Sequence, residues 1–68
     1  MIVQVNGRSA ELPDGATVAD AVKMVGLDGE RRGVAVAVDG EVVRNADWER
    51  TPLSERQAVE VVRAVQGG

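Results

Sequence analysis

The chain has no cysteine and no histidine. Without thiols it can form no disulfide and no thiolate metal site, and a cytoplasmic location is the expectation that fits best. Without imidazole it lacks the usual general base and the commonest zinc ligand, and without a thiol it lacks the best side-chain nucleophile. Self-contained catalysis is therefore not expected, nor is a bound metal or cofactor. Phenylalanine and tyrosine are absent and there is one tryptophan, in a chain of net charge −3. Phosphate neutralisation and base stacking are both undersupplied, so nucleic acid is not an expected partner. No apolar run approaches the length that spans a bilayer and the N-terminus carries no signal-peptide pattern, so a membrane is not expected either.

What is present fits one small domain of 68 residues. A domain this size buries only about 60% of its unfolded surface and is marginally stable. The acids are spread from Glu11 to Glu60, and Lys23 is the only lysine beside the arginines. There is no internal repeat and no low-complexity segment.

The last ten residues, Val59 to Gly68, stand out. Val59, Val61, Val62 and Val65 suit a β-strand. Gly67 and Gly68 then remove the side chains, and glycines weaken any regular element they enter. They leave a thin arm ending in a carboxylate, and from Val65 onward four residues reach roughly 13 Å when extended. With no Cβ at its tip, such an arm lets another protein's active site close on both faces of the backbone. The tail alone leaves two readings open, a frayed terminus and a functional arm.

Taken in order, Met1–Val5 is a strand with Met1, Val3 and Val5 on one face. Asn6-Gly7 is a hairpin signal, because both central positions of a type I′ turn need positive φ. Arg8–Leu12 returns as a second strand with Ala10 and Leu12 inward. Pro13-Asp14-Gly15 breaks it. Thr17 is a helix N-cap, Asp20 completes a capping-box variant, and Val18, Ala21, Val22 and Val25 share a helical face. Gly26 is the expected C′ residue with Leu27 folding back. The Glu30-Arg31-Arg32 run reads as solvated surface in preference to a specific anion site. Val34–Val38 is apolar at every position, which predicts a central strand covered on both faces. Asp39-Gly40 is a second hairpin turn, leading into strand Glu41-Val42-Val43. Trp48 is expected in the core or lidding it. Val59 and Val61 should face inward, leaving Val62 and Ala64 as an outward apolar pair beside the tail.

A hairpin, a helix, a second hairpin-like pair and a final strand make an α+β roll of four to five strands in a mixed sheet with one main helix packed across it. This is the β-grasp, or ubiquitin-like, arrangement, in which first and last strands lie parallel at the sheet centre. The expected division is a body over residues 1–65 and a flexible tail over 66–68.

The sequence resembles the ThiS family, the ubiquitin-like sulfur carriers of thiamine biosynthesis. The likeness covers nearly the whole chain and is carried by Ile2-Val3-Gln4-Val5-Asn6-Gly7, Thr17-Val18-Ala19-Asp20, Val34 to Gly40, Val42-Val43, Trp48 and Val61 to Gly68. The short length and the Ala-Val-Gln-Gly-Gly ending favour this family over the related molybdopterin-synthase small subunit, usually longer and richer in Phe and Pro near its end. Two places depart from the family pattern. Arg44-Asn45 stands where Pro-Arg or Pro-Lys is frequent, and Arg56-Gln57 where a Gly-Asp turn is frequent.

The resemblance implies that Gly68 is the modified residue, adenylated and then converted to a thiocarboxylate, and that Gly67 gives steric access. The outward pair Val62 and Ala64, with Val65 and Gln66 leading to the tip, is the candidate docking surface for a partner. The implied partners are a ubiquitin-activating-type adenylyltransferase that uses ATP, a sulfur donor such as a cysteine desulfurase, and thiazole synthase. Three alternatives stay open at this point: a carrier for another sulfur pathway (molybdopterin, cysteine or tRNA thiolation), a protein modifier joined through Gly68, and a β-grasp binding module with an idle tail.

Overall fold

The computed structural model describes residues 1–63. Strands β1 (Ile2–Val5), β2 (Arg8–Glu11), β3 (Val34–Val38), β4 (Glu41–Val43) and β5 (Ala58–Arg63) form one sheet in the order β2-β1-β5-β3-β4. One helix, α1 (Val18–Met24), crosses it, and two 3₁₀ segments, Asp28–Gly33 and Asn45–Arg50, flank the second hairpin. The α+β β-grasp expectation holds, with five strands.

Both hairpins form where the turn dipeptides place them. Asn6 and Gly7 have φ of 53° and 81°, and Asp39 and Gly40 have 50° and 86°, the paired positive values of a type I′ turn. The β1–β2 ladder runs Ile2↔Glu11 to Val5↔Arg8 and continues one step outward, where the Leu12 N–H donates to the Met1 carbonyl at 2.9 Å.

Helix α1 has only seven residues, too few to persist alone, and its ends are finished by side chain and backbone. The Asp20 carboxylate accepts the Thr17 N–H at 2.8 Å. At the other end Gly26 N–H reaches the Lys23 carbonyl at 3.0 Å and Leu27 N–H the Val22 carbonyl at 3.2 Å, which is the Schellman pattern. Val18, Ala21 and Val22 are buried against the sheet, while Val25 is half-buried at the C-cap.

The core lies on one face of the sheet. Val3 and Val5 from β1, Val34, Val36 and Val38 from β3, and Val59 and Val61 from β5 meet α1, Leu12, Leu53 and Trp48 there. Trp48 is 1% exposed and its indole N–H donates to the Val43 carbonyl at 3.1 Å, so it is a core residue with its polar atom satisfied. One expectation for the sheet is corrected. Strand β3 is not covered on both faces, because Ala35 is exposed and Ala37 half-buried. Strand β5 is the middle strand of the sheet and is likewise open on one face, at Ala58, Glu60 and Val62, and β3 keeps small apolar residues on a face that nothing packs against among the described residues.

Candidate functional site

The site is built on the far end of β5. That strand pairs parallel with β1 (Gln4↔Ala58, Val5↔Val59) and antiparallel with β3 along its whole length (Val38↔Val59 to Val34↔Arg63). A parallel pair cannot be closed by a turn, so other groups must set its register. At the entry to β5 the Asp39 side chain accepts the Ala58 N–H at 3.0 Å, and the Asp39 N–H donates to the Ala58 carbonyl at 2.8 Å. The preceding turn has Arg56 at φ 67°, a left-handed conformation held by a non-glycine residue, with its N–H on the Ile2 carbonyl at 2.7 Å. The Arg56-Gln57 departure from the family pattern thus keeps the positive φ but loses the glycine that adopts it freely.

Further along, Asn6 acts as an extra rung of the β1–β5 ladder. Its backbone N–H donates to the Val59 carbonyl at 2.9 Å. Its side-chain amide then accepts the Val61 N–H at 2.8 Å and donates to the Val61 carbonyl at 3.1 Å. One side chain therefore does for Val61 what a strand backbone would do, and it fixes β5 two residues before Arg63. Nothing in the sequence pointed to this role, since an Asn-Gly dipeptide signals the turn and says nothing of a residue 55 positions away.

The strand end presents two different surfaces. On the open face Val62 is 57% exposed and stands opposite Ala35, and one strand further over Ala37 stands opposite Val42. The outward orientation expected for Val62 is therefore found, joined by Ala35, Ala37 and Val42, which sequence reasoning did not include. The signal was there in the all-apolar run of β3, but it was read as burial on both sides.

On the helix side, Arg63 meets the first 3₁₀ segment. Its guanidinium donates to Glu30 at 3.0 Å, and both side chains are about half exposed. Arg63, Arg31 and Arg32 line one shallow cleft of about 380 Å³ with Glu30, Gly29 and Gly33. Arg31 is the anchored member: its side chain stays 38% exposed, as a surface residue, but is held by fixed partners. It forms a two-pronged pair with Glu49 at 2.6 Å on each arm and donates to the Asn45 side chain and carbonyl at 2.6 and 2.9 Å. Its guanidinium also lies 4.8 Å from the centre of the Trp48 ring. The hydrogen bond from Arg31 holds the Glu49 carboxyl below the usual carboxylate range, and the same bond raises the Arg31 guanidinium. This network ties the cleft floor to the core.

Among the described residues no group of three or more His, Cys, Asp or Glu side chains could hold a metal. Among the same residues no helix is long and apolar enough to cross a membrane. The expected modification and access residues Gly68 and Gly67, the docking residues Ala64, Val65 and Gln66, and the boundary between body and tail at residues 65 and 66 all lie outside the described residues.

Comparison with known proteins adds a family and a fold. The family model described as ThiS family matches residues 3–68. The crystal structure of a thiamine biosynthesis protein (ThiS) from Geobacter metallireducens superposes with a TM-score of 0.80 at 23% identity, covering 100% of both chains. The solution NMR structure of a thiamine biosynthesis protein from the same organism gives 0.79 at 23% identity, covering 100% of this chain and 88% of that one. No curated protein matches the sequence.

Proposed function

The chain belongs to the ThiS family, and from that premise we propose that it is a sulfur carrier whose Gly68 carboxylate is the loading point. It supplies the sulfur of the thiazole ring of thiamine. The observation that carries the reading is the family match running through the Gly67-Gly68 ending, downstream of a strand pinned at the sheet centre. A body whose last strand is its most embedded one can hold out a tail without losing its core.

The chemistry follows from the terminal group. A C-terminal carboxylate titrates at about 3.5, so at neutral pH it is an anion and a poor electrophile. In an activating partner, one carboxylate oxygen attacks the α-phosphorus of ATP and pyrophosphate leaves, forming an acyl-adenylate. The terminal sulfur of a persulfide on a donor such as a cysteine desulfurase then displaces AMP to give an acyl disulfide, and a partner thiol attacks its S–S bond, leaving the thiocarboxylate and a disulfide between that thiol and the donor sulfur. That anion carries a soft nucleophilic sulfur, which thiazole synthase receives. Gly68 is the modified residue and not a catalyst. Gly67 keeps the approach narrow. Every acid, base and nucleophile beyond the carboxylate belongs to the partners, which agrees with a chain lacking His and Cys. The open-face apolar positions Val62, Ala35, Ala37 and Val42 are the proposed docking face, with Ala64, Val65 and Gln66 as its proposed continuation.

Mass spectrometry of the protein purified from its own cells tests this. Exchange of oxygen for sulfur adds about 16 Da, as methionine oxidation does, so fragmentation must place the increment on the C-terminal peptide and away from Met1 and Met24. Gly68→Trp should lose that increment and remain folded. A thiocarboxylate still formed on that variant would refute the role of Gly68. Conjugates of higher mass that survive denaturant and reductant would replace the carrier reading with that of a protein modifier.

A further inference from the structure

The arginine cleft has no part in the chemistry just described. It joins residues far apart in the chain: Arg31 and Arg32 leave α1 through a 3₁₀ turn, and Arg63 closes β5. Three guanidiniums and one carboxylate face a common space in a protein of net charge −3. Arg31 is committed to Glu49 and Asn45, and Arg63 is partly neutralised by Glu30. Arg32 is exposed and has no ion pair with a described residue. The cleft is therefore a local positive site beside the root of the tail, its shape fixed by the Arg31–Trp48 anchor.

A distance decides what kind of anion it meets. From Arg63 to Gly68 is five residues, which span roughly 17 Å when extended. A nucleotide phosphate reacting at Gly68 lies that far from the cleft when the tail is extended, and the Arg63 guanidinium is turned sideways to Glu30. The anion is then part of the surface surrounding the entrance through which the tail passes. Consecutive residues of β5 support the same geometry, because Val62 faces the open side of the sheet and Arg63 the helix side. A partner that takes in the tail meets an apolar surface on one side of the strand and guanidiniums on the other.

We propose that Arg32 and Arg63 form a docking rim for an acidic, Asp- and Glu-bearing surface at the mouth of the activating enzyme's tail channel. The inference rests on the carrier reading above. Arg32 and Arg63 bind and orient, Glu30 tempers the rim by holding Arg63, and none of them touches reacting atoms. Charges at a rim act on encounter and on salt dependence more than on the chemical step.

The test is ATP–pyrophosphate exchange by the activating enzyme of the same organism, with this protein as varied substrate at several salt concentrations. Arg32→Glu combined with Arg63→Glu should raise KM roughly tenfold at low salt, leave kcat unchanged and flatten the salt dependence. Arg32→Glu alone, at an exposed position, should raise KM by a smaller factor and keep the melting temperature. Replacement of both by lysine should keep most of the binding. Glu30→Gln should lower KM, a direction that a merely structural role for the ion pair does not give. Unchanged KM and salt dependence in the folded single and double variants would overturn the docking rim, as would an effect confined to kcat. Exchange with native KM and salt dependence in those variants, alongside its loss with Gly68→Trp, would sink the rim and leave the carrier reading standing.

Discussion

The two faces of this sheet are made by the same five strands and both carry valines, yet they carry different burdens. On the covered face, Val3, Val36, Val59 and Val61 are at most 4% exposed beneath α1 and Trp48. On the other face Val62 is 57% and Val42 77% exposed. Val61 and Val62 are neighbours in sequence and opposites in environment, because a strand turns successive side chains to opposite sides. Valine alone does not report burial. The covered face sets whether the chain folds, while the open face is free to be shaped by what it must touch.

The largest test of that division is Trp48→Ala. Emptying the site of a buried tryptophan costs about 3–5 kcal/mol, against a total stability on the order of 3–10 kcal/mol for a chain of this length. Urea titration should find the variant extensively unfolded, and a native-like midpoint would break the comparison outright. Next, Val61→Ala should lose roughly 1.5–2.5 kcal/mol, while Val62→Ala stays within about 0.5 kcal/mol. Equal losses at the two positions would erase the distinction between the faces. Asn6→Ala sits between them, removing both side-chain bonds to Val61. It should cost about 1–2 kcal/mol and accelerate amide exchange at Val61 more than at Val36.

The smallest effect is electrostatic. Glu49 is held below its ordinary titration range by the hydrogen bond from Arg31. A carboxyl depressed on folding contributes stability above its unfolded value, and that contribution is lost as pH falls through the folded value. Thermal melts of the native protein should therefore lose part of their midpoint as the pH is lowered through the carboxylate range. Glu49→Gln should flatten that slope, and the difference should shrink in high salt because both side chains are partly exposed.

The features that local chemistry dictates were legible in the sequence. Asn6-Gly7 and Asp39-Gly40 specify their turns through backbone freedom, Thr17 and Asp20 the helix start, Gly26 and Leu27 its end. The pairing of first and last strands followed from the β-grasp arrangement. Three things were not legible, all dependent on distant partners. Whether Ala35 and Ala37 are covered depends on what packs over the sheet, which a run of apolar letters cannot say. The Asn6 amide reaches Val61 only once β1 and β5 lie together. The expectation of solvated surface holds for Arg32, which is exposed, but could not foresee that the fold brings Trp48, Glu49 and Asn45 to Arg31. At the site, the sequence pointed to Val62 and the tail, and the structure adds the two surfaces flanking the tail's root.

The strand order carries one more implication. The two hairpins are not joined to each other across the sheet: β1 and β3 meet only through β5, the last strand to be made. Before residue 58 the sheet is two hairpins with a raw seam between them, even though Val18 and Leu53 already tie the helix region to the 51–53 stretch by backbone hydrogen bonds. Only strand β5 zips that seam, bonding β1 on one side and β3 on the other. A chain cut short of its final strand therefore lacks a closed sheet, and the order of synthesis makes the last strand the one that completes the body.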